Sequence, residues 1–135
     1  MGQVIHFCDD LHFEFEAGTT HGLDIIGGDT LILAGDIYTP WRYDEKLQKV
    51  VEGFFREASL KYKNILYVIG NHEHYGGYFT GTKELIEDHL KEFVNVRVLE
   101  NQTQQIGNIL FFGATFWTDM RGSHPEIMWD CRRGM

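Results

Sequence analysis

Cysteine is nearly missing from this chain: Cys8 and Cys131 stand alone among 135 residues, with no CxxC pair. That excludes a disulfide framework and a thiolate zinc knuckle, and a reducing, cytoplasmic setting is the expectation. Long apolar runs are missing too. Nowhere do the roughly 18 consecutive apolar residues of a membrane span occur, and the N-terminus MGQVIHFCDD reaches acidic residues after a very short apolar run without a basic start. Neither an export signal nor a membrane anchor is read there. His6 occupies the sixth position, where a myristoylation signal needs Ser or Thr. Basic charge is in deficit, 12 Lys and Arg against 20 Asp and Glu for a formal net charge of −8. Such a chain repels a phosphate backbone unless bound cations reverse the local field, which argues against non-specific nucleic-acid binding. No repeat, low-complexity tract or linker divides the sequence. With 43% hydrophobic residues it can bury one core and is too short for two ordinary domains.

What is present is a series of short apolar runs that stop at Gly or an acid. Val4 to Cys8 ends at Asp9-Asp10, Thr30 to Ala34 ends at Gly35-Asp36, and Ile65 to Ile69 ends at Gly70-Asn71-His72. Each reads as a buried strand delivering polar groups at its C-terminal end, the edge where open α/β sheets place ligands. Between the second and third runs, Leu47, Val50, Val51, Phe54, Phe55 and Ala58 recur with helical spacing, so an amphipathic helix capped near Asp44 is expected. Strand, helix and strand make a βαβ unit with parallel strands. A second helix is expected from Thr82, as N-cap, to Phe93, with Leu85, Ile86, Leu90 and Phe93 inward. Val96 to Leu99 then reads as a strand, Asn101 to Gln105 as a polar turn and Ile109 to Phe112 as another strand. The tail from Arg121 has no clear period.

The chemistry lies in the strand ends. Asp10-Leu11-His12 sets a carboxylate and an imidazole two residues apart, a spacing that lets both grip one divalent cation. An isolated match more often serves to cap a turn beside a surface His. Asp36 follows Gly35 in an ordinary turn dipeptide, yet one carboxylate can bridge two cations. In Gly70-Asn71-His72-Glu73, the Asn amide is a neutral oxygen ligand and the His an acid or hydrogen-bond donor. Three such motifs in order, each directly after an apolar strand, point to a metal site.

In these residues the chain resembles the calcineurin-like metallophosphoesterases, whose pattern runs D-x-H, G-D, G-N-H-D/E and then two later histidine motifs. Gly113-Ala114-Thr115-Phe116-Trp117-Thr118-Asp119 is similar to a stretch of small bacterial and phage members. The resemblance implies an α/β fold of the metallophosphoesterase type, a two-sheet β-sandwich flanked by helices. It also implies two divalent metal ions (Mn, Fe, Zn or Ni), a metal-activated hydroxide, and a phosphate mono- or diester as substrate. By the same resemblance Asp10 and His12 hold the first metal, Asp36 bridges both, Asn71 holds the second and His72 is the catalytic histidine. Glu73 and His74 are read as supporting or loop residues, and the aromatic loop Tyr75 to Phe79 as a stacking surface or packing element.

The family's later histidine motifs are not found. His89 and His124 are read as solvated, and His6 and His21 carry no assigned role, His21 lying in the loop near the first motif. Residues 1–135 thus read as a single, incomplete domain, the N-terminal half of the family fold. Unfinished sheet edges of this kind invite self-association. The alternative function is a truncated, non-catalytic fragment that binds metal weakly or serves as an interaction module. A flavodoxin-like nucleotide-binding domain needs a Gly-rich loop after the first strand, and Cys8 to Phe15 offers none.

Overall fold

Apolar runs alternating with one long amphipathic segment fold as parallel strands joined by helices in the computed structural model, which describes residues 2–15, 24–117, 122 and 124–126. Strands β1 (Ile5–Cys8), β2 (Gly28–Ala34), β3 (Tyr62–Val68) and β4 (Val96–Leu99) form one parallel sheet in that order. An antiparallel hairpin, β5 (Gln102–Ile106) and β6 (Ile109–Gly113), follows. The register aligns Cys8 with Leu33, Leu33 with Tyr67, and Val68 with Leu99. The strands therefore finish level, and the segments after β1, β2 and β3 leave the sheet along a single edge.

Helix α1 (Glu45–Lys61) links β2 to β3. Asp44 caps it, its Oδ1 accepting from the Lys46 and Leu47 N–H groups at 3.1 and 2.8 Å. The expected stripe of Leu47, Val50, Val51, Phe54, Phe55 and Ala58 is buried, each large member gaining about 1.5–3 kcal/mol from burial. Phe55 stacks on Tyr67 of β3, and Phe54 lies against Phe13 from the loop after β1. The helix thereby fixes both the sheet and the first motif loop. Strand β3 is central and buries Tyr62, Ile65, Leu66 and Tyr67. Strand β1 differs from expectation. It pairs with β2 alone among the described strands, and Phe7 is 77% exposed.

Helix α2 (Thr82–His89) is shorter than its apolar spacing suggests and begins at Thr82 itself, with Gly81 at φ 96° as the cap. The Thr82 hydroxyl is engaged elsewhere, donating to the Tyr78 carbonyl and bonded to Trp41 Nε1 and His74 Nδ1. Leu90 and Phe93 still reach the core through turns beyond the helix. The polar segment read as a turn is strand β5. Its partner β6 closes across a two-residue loop, with Gly107 at φ 60° in the first loop position. Among the described residues no helix is long and apolar enough to cross a membrane. His21, Thr118, Asp119, Cys131 and most of the tail lie outside the described residues.

His89 is not the solvated side chain expected from its mid-helix position; His124 is exposed. The His89 ring stacks on Tyr43 at 3.8 Å, and its Nδ1 meets the Tyr38 hydroxyl at 3.2 Å. Burial lowers its pKa below the ordinary imidazole value. An unfolded chain protonates this ring more readily than the folded one, so its contribution to stability is intact above about pH 6.5 and is lost as pH falls toward the depressed folded pKa. His89→Gln is expected to lose less stability than wild type between pH 7.5 and 5.5 in urea titrations. Identical pH dependence would refute this.

Candidate metal centre

Three of the motif residues sit in backbone conformations that side-chain-bearing residues rarely adopt: Asp10 at φ 51°, His12 at φ 45° and Asp36 at φ 56°. Each left-handed residue costs about 1–2 kcal/mol, so the surroundings must hold it there. They do so by lacing the first two loops together. The N–H groups of Asp10, His12 and Phe13 donate to the carbonyls of Gly35, Asp36 and Ile37 at 3.0–3.1 Å. The third loop is brought in by the absence of side chains. Gly35, at φ 95°, lies so near Gly70 that a Cβ would approach the Gly70 Cα to 2.9 Å, and a Cβ on Gly70 would fall on the Asp36 carboxylate. These glycines let two strand ends touch.

Glu73 completes the lacing. Its carboxylate is fully buried and accepts four hydrogen bonds: Ile37 N–H and the Tyr67 hydroxyl on Oε1 at 2.8 and 2.7 Å, Gly70 N–H and Asp36 N–H on Oε2 at 2.9 and 3.1 Å. Burial pushes the Glu73 carboxyl above its usual range, while the Ile37, Tyr67 and Asp36 donors pull it back. Tyr67 moves well above an ordinary phenol through burial and the Glu73 charge, and so remains a donor.

On this platform His12, Asp36 and His72 bring one ligand atom each within 4.8 Å of one another. The two imidazoles are 4.3 Å apart at their centroids, and both side chains are about a quarter exposed. One Asp36 oxygen accepts from the His72 backbone N–H at 2.9 Å, which leaves the other oxygen available. Asp10 is more exposed, with Oδ1 at 3.4 Å from His12 Nε2. Asn71 donates through Nδ2 to the Tyr75 hydroxyl at 2.8 Å, an arrangement that turns its Oδ1 away from that bond. Burial alone would lower the His12 pKa; the Glu14 hydrogen bond and the charges of Glu14, Asp36 and Asp10 outweigh it and raise the value. An imidazole and a carboxylate at this spread, His12 and Asp36, fit the donor set of a divalent cation, with the His72 ring beside it. Asp10, beside His12, would add to the ligands of that cation, and a second cation would draw on Asn71 and Asp36.

The profile of the calcineurin-like phosphoesterases matches residues 5–130. This chain belongs to that family. An uncharacterised protein of Acanthamoeba polyphaga mimivirus, L509, is 26% identical over 143 residues, which cover 90% of this chain and 46% of the viral protein. The chain spans less than half the length of that relative.

Within this member of the family, an open cleft of about 360 Å³ runs beside Asp10, Asp36 and Asn71 and is walled by Phe112, Phe116 and Trp117. Thr115 anchors that wall, its hydroxyl meeting the Ile69 carbonyl at 2.7 Å and the Glu100 carboxylate at 2.8 Å. Of the aromatic loop, Tyr75 lies against His72 at 4.5 Å, whereas Phe79 stacks on the buried His74 and Tyr78 meets Trp41 edge-on. His6 is bonded to the Tyr62 hydroxyl, away from the strand ends. Glu14 is the participant that the motifs did not reveal. Its Oε1 lies 3.2 Å from His12 Nδ1 and 3.0 Å from His72 Nδ1. Its position continues the two-residue step from Asp10 through His12, a signal legible only once both histidines have a role.

Proposed function

We propose that this chain hydrolyses phosphate mono- or diesters with divalent cations held at the C-terminal edge of its sheet. The observation that carries this reading is the convergence of His12, Asp36 and His72 from three separate strand ends, on backbone that costs stability to maintain. Asp10 and His12 are assigned to one ion, Asn71 to a second and Asp36 to both. Such ions lower the pKa of a water and neutralise phosphate oxygens. The residues themselves do the rest. Asp36 places one carboxylate oxygen on the His72 N–H, so the ligand and the histidine keep a fixed relation. His72 serves the departing oxygen, offering a proton or a hydrogen bond as charge collects there. Tyr75 packs beside the His72 ring and limits its rotation.

The test is hydrolysis of an aryl phosphate and an aryl phosphodiester with added Mn²⁺, comparing wild type with His72→Ala. A fall of about 10²–10⁴-fold is expected, the range for losing a general acid. Its size should grow as the leaving group becomes a poorer one. Undiminished turnover in the variant would rule out the assignment of His72.

A further inference from the structure

Glu14 is buried to about nine-tenths, with 11% of its side chain exposed, yet its polar atoms are unequally used. Oε1 serves both His12 Nδ1 and His72 Nδ1, while Oε2 is buried without a partner among the described residues. Leaving a carboxylate oxygen orphaned is costly, on the order of 1–3 kcal/mol. An acid retained against that cost is accounted for by what its other oxygen does to the two rings.

One acceptor oxygen placed between two neutral imidazoles is satisfied only when each ring carries its proton on Nδ1. Both Nε2 atoms then face away from Glu14: that of His12, on the Asp10 side at 3.4 Å from its carboxylate, is left as a lone pair for a cation, and that of His72 is free to take up the second proton that the ring passes to a departing oxygen. The geometry points to Glu14 as a shared positioning residue, which sets the tautomer and orientation of His12 and His72 together and so couples the cation ligand to the leaving-group histidine. This rests on the metal reading of His12 and the donor reading of His72 given above. A carboxylate behind a ligating imidazole makes its other nitrogen more basic and stops the ring from turning.

The test uses ring-nitrogen NMR on the metal-free protein together with Mn²⁺ titration of wild type, Glu14→Gln and Glu14→Ala. In wild type both rings are expected to carry a proton on Nδ1. In Glu14→Ala they are expected to shift toward Nε2–H, with Mn²⁺ affinity falling about 10–100-fold. Glu14→Gln, isosteric but uncharged, keeps an acceptor oxygen for the rings and is expected to fold and to bind Mn²⁺ with intermediate affinity. Unchanged ring nitrogens and unchanged affinity in either folded variant would overturn the proposal. A tautomer shift in a protein whose wild type binds no Mn²⁺ would uphold the positioning role and refute the phosphoesterase reading instead.

Discussion

Asp36→Asn is expected to fold normally and to lose divalent-cation affinity by about 10²-fold or more. The exchange is nearly isosteric, and Asn tolerates the left-handed φ of 56° at this position as readily as Asp does. Its amide oxygen can still accept the His72 backbone N–H that one Asp36 oxygen now accepts. What changes is the other oxygen, the one left for a cation. It becomes an NH₂ group with two donors and no lone pair to offer. The exchange therefore separates the proposed metal role of Asp36 from its structural one. Calorimetric titration with Mn²⁺, paired with a urea melt, reads both. A variant that binds Mn²⁺ like wild type would contradict the bridging assignment, and one that unfolds would show the carboxylate to be needed for the fold itself.

The second large effect is expected at Glu73, and on stability. Glu73→Ala deprives three backbone N–H groups and the Tyr67 hydroxyl of their acceptor in a site with no exposure. At about 1–3 kcal/mol for each buried donor left unmet, even partial rescue by water leaves a loss of about 3–5 kcal/mol. That is a large share of the 5–15 kcal/mol typical of a domain. Glu73→Gln is the sharper comparison. Each Glu73 oxygen accepts two donors, so whichever one becomes NH₂ meets two donors with donors of its own. A loss of about 1–3 kcal/mol in urea unfolding is expected from this mutation. A Gln variant within about 0.5 kcal/mol of wild type, the usual range for inconsequential substitutions, would mean that the charge and double acceptance of Glu73 do not hold the loops.

These two carboxylates also show where the sequence is transparent and where it is not. The buried face and the start of helix α1 were legible because its apolar stripe and its Asp44 cap are local signals. The cores of β2 and β3 were legible as unbroken apolar runs, though both strands begin earlier, at Gly28 and Tyr62, where polar residues continue the pairing. Strand β5 was not legible. It is built from Gln and Thr, carries no hydrophobic alternation, and exists through its pairing with β6. The exposure of Phe7 likewise depends on which strand ends at the sheet edge, a fact of topology rather than of local pattern.

The candidate site divides along the same line. Asp10, His12, Asp36, Asn71 and His72 stood out because each follows an apolar strand. Glu14 and Glu73 act across 58 and 36 to 37 residues of chain, on His72 and on the Asp36 and Ile37 backbone. No local spacing encodes such pairings. The packing of His89 on Tyr43 is of that kind too, set by where the last turn of α2 comes to rest. Gly35 and Gly70 belong to both descriptions, visible as motif glycines but explained only by their contact in space.

The central claim is that imidazole and carboxylate from separate strand ends hold a divalent cation, and pulsed electron paramagnetic resonance of the Mn²⁺-loaded protein addresses it directly. Nitrogen couplings from ligating imidazole are expected in wild type and should weaken in His12→Ala. An oxygen-only coordination sphere, or nitrogen couplings unaltered by His12→Ala, would contradict the assignment.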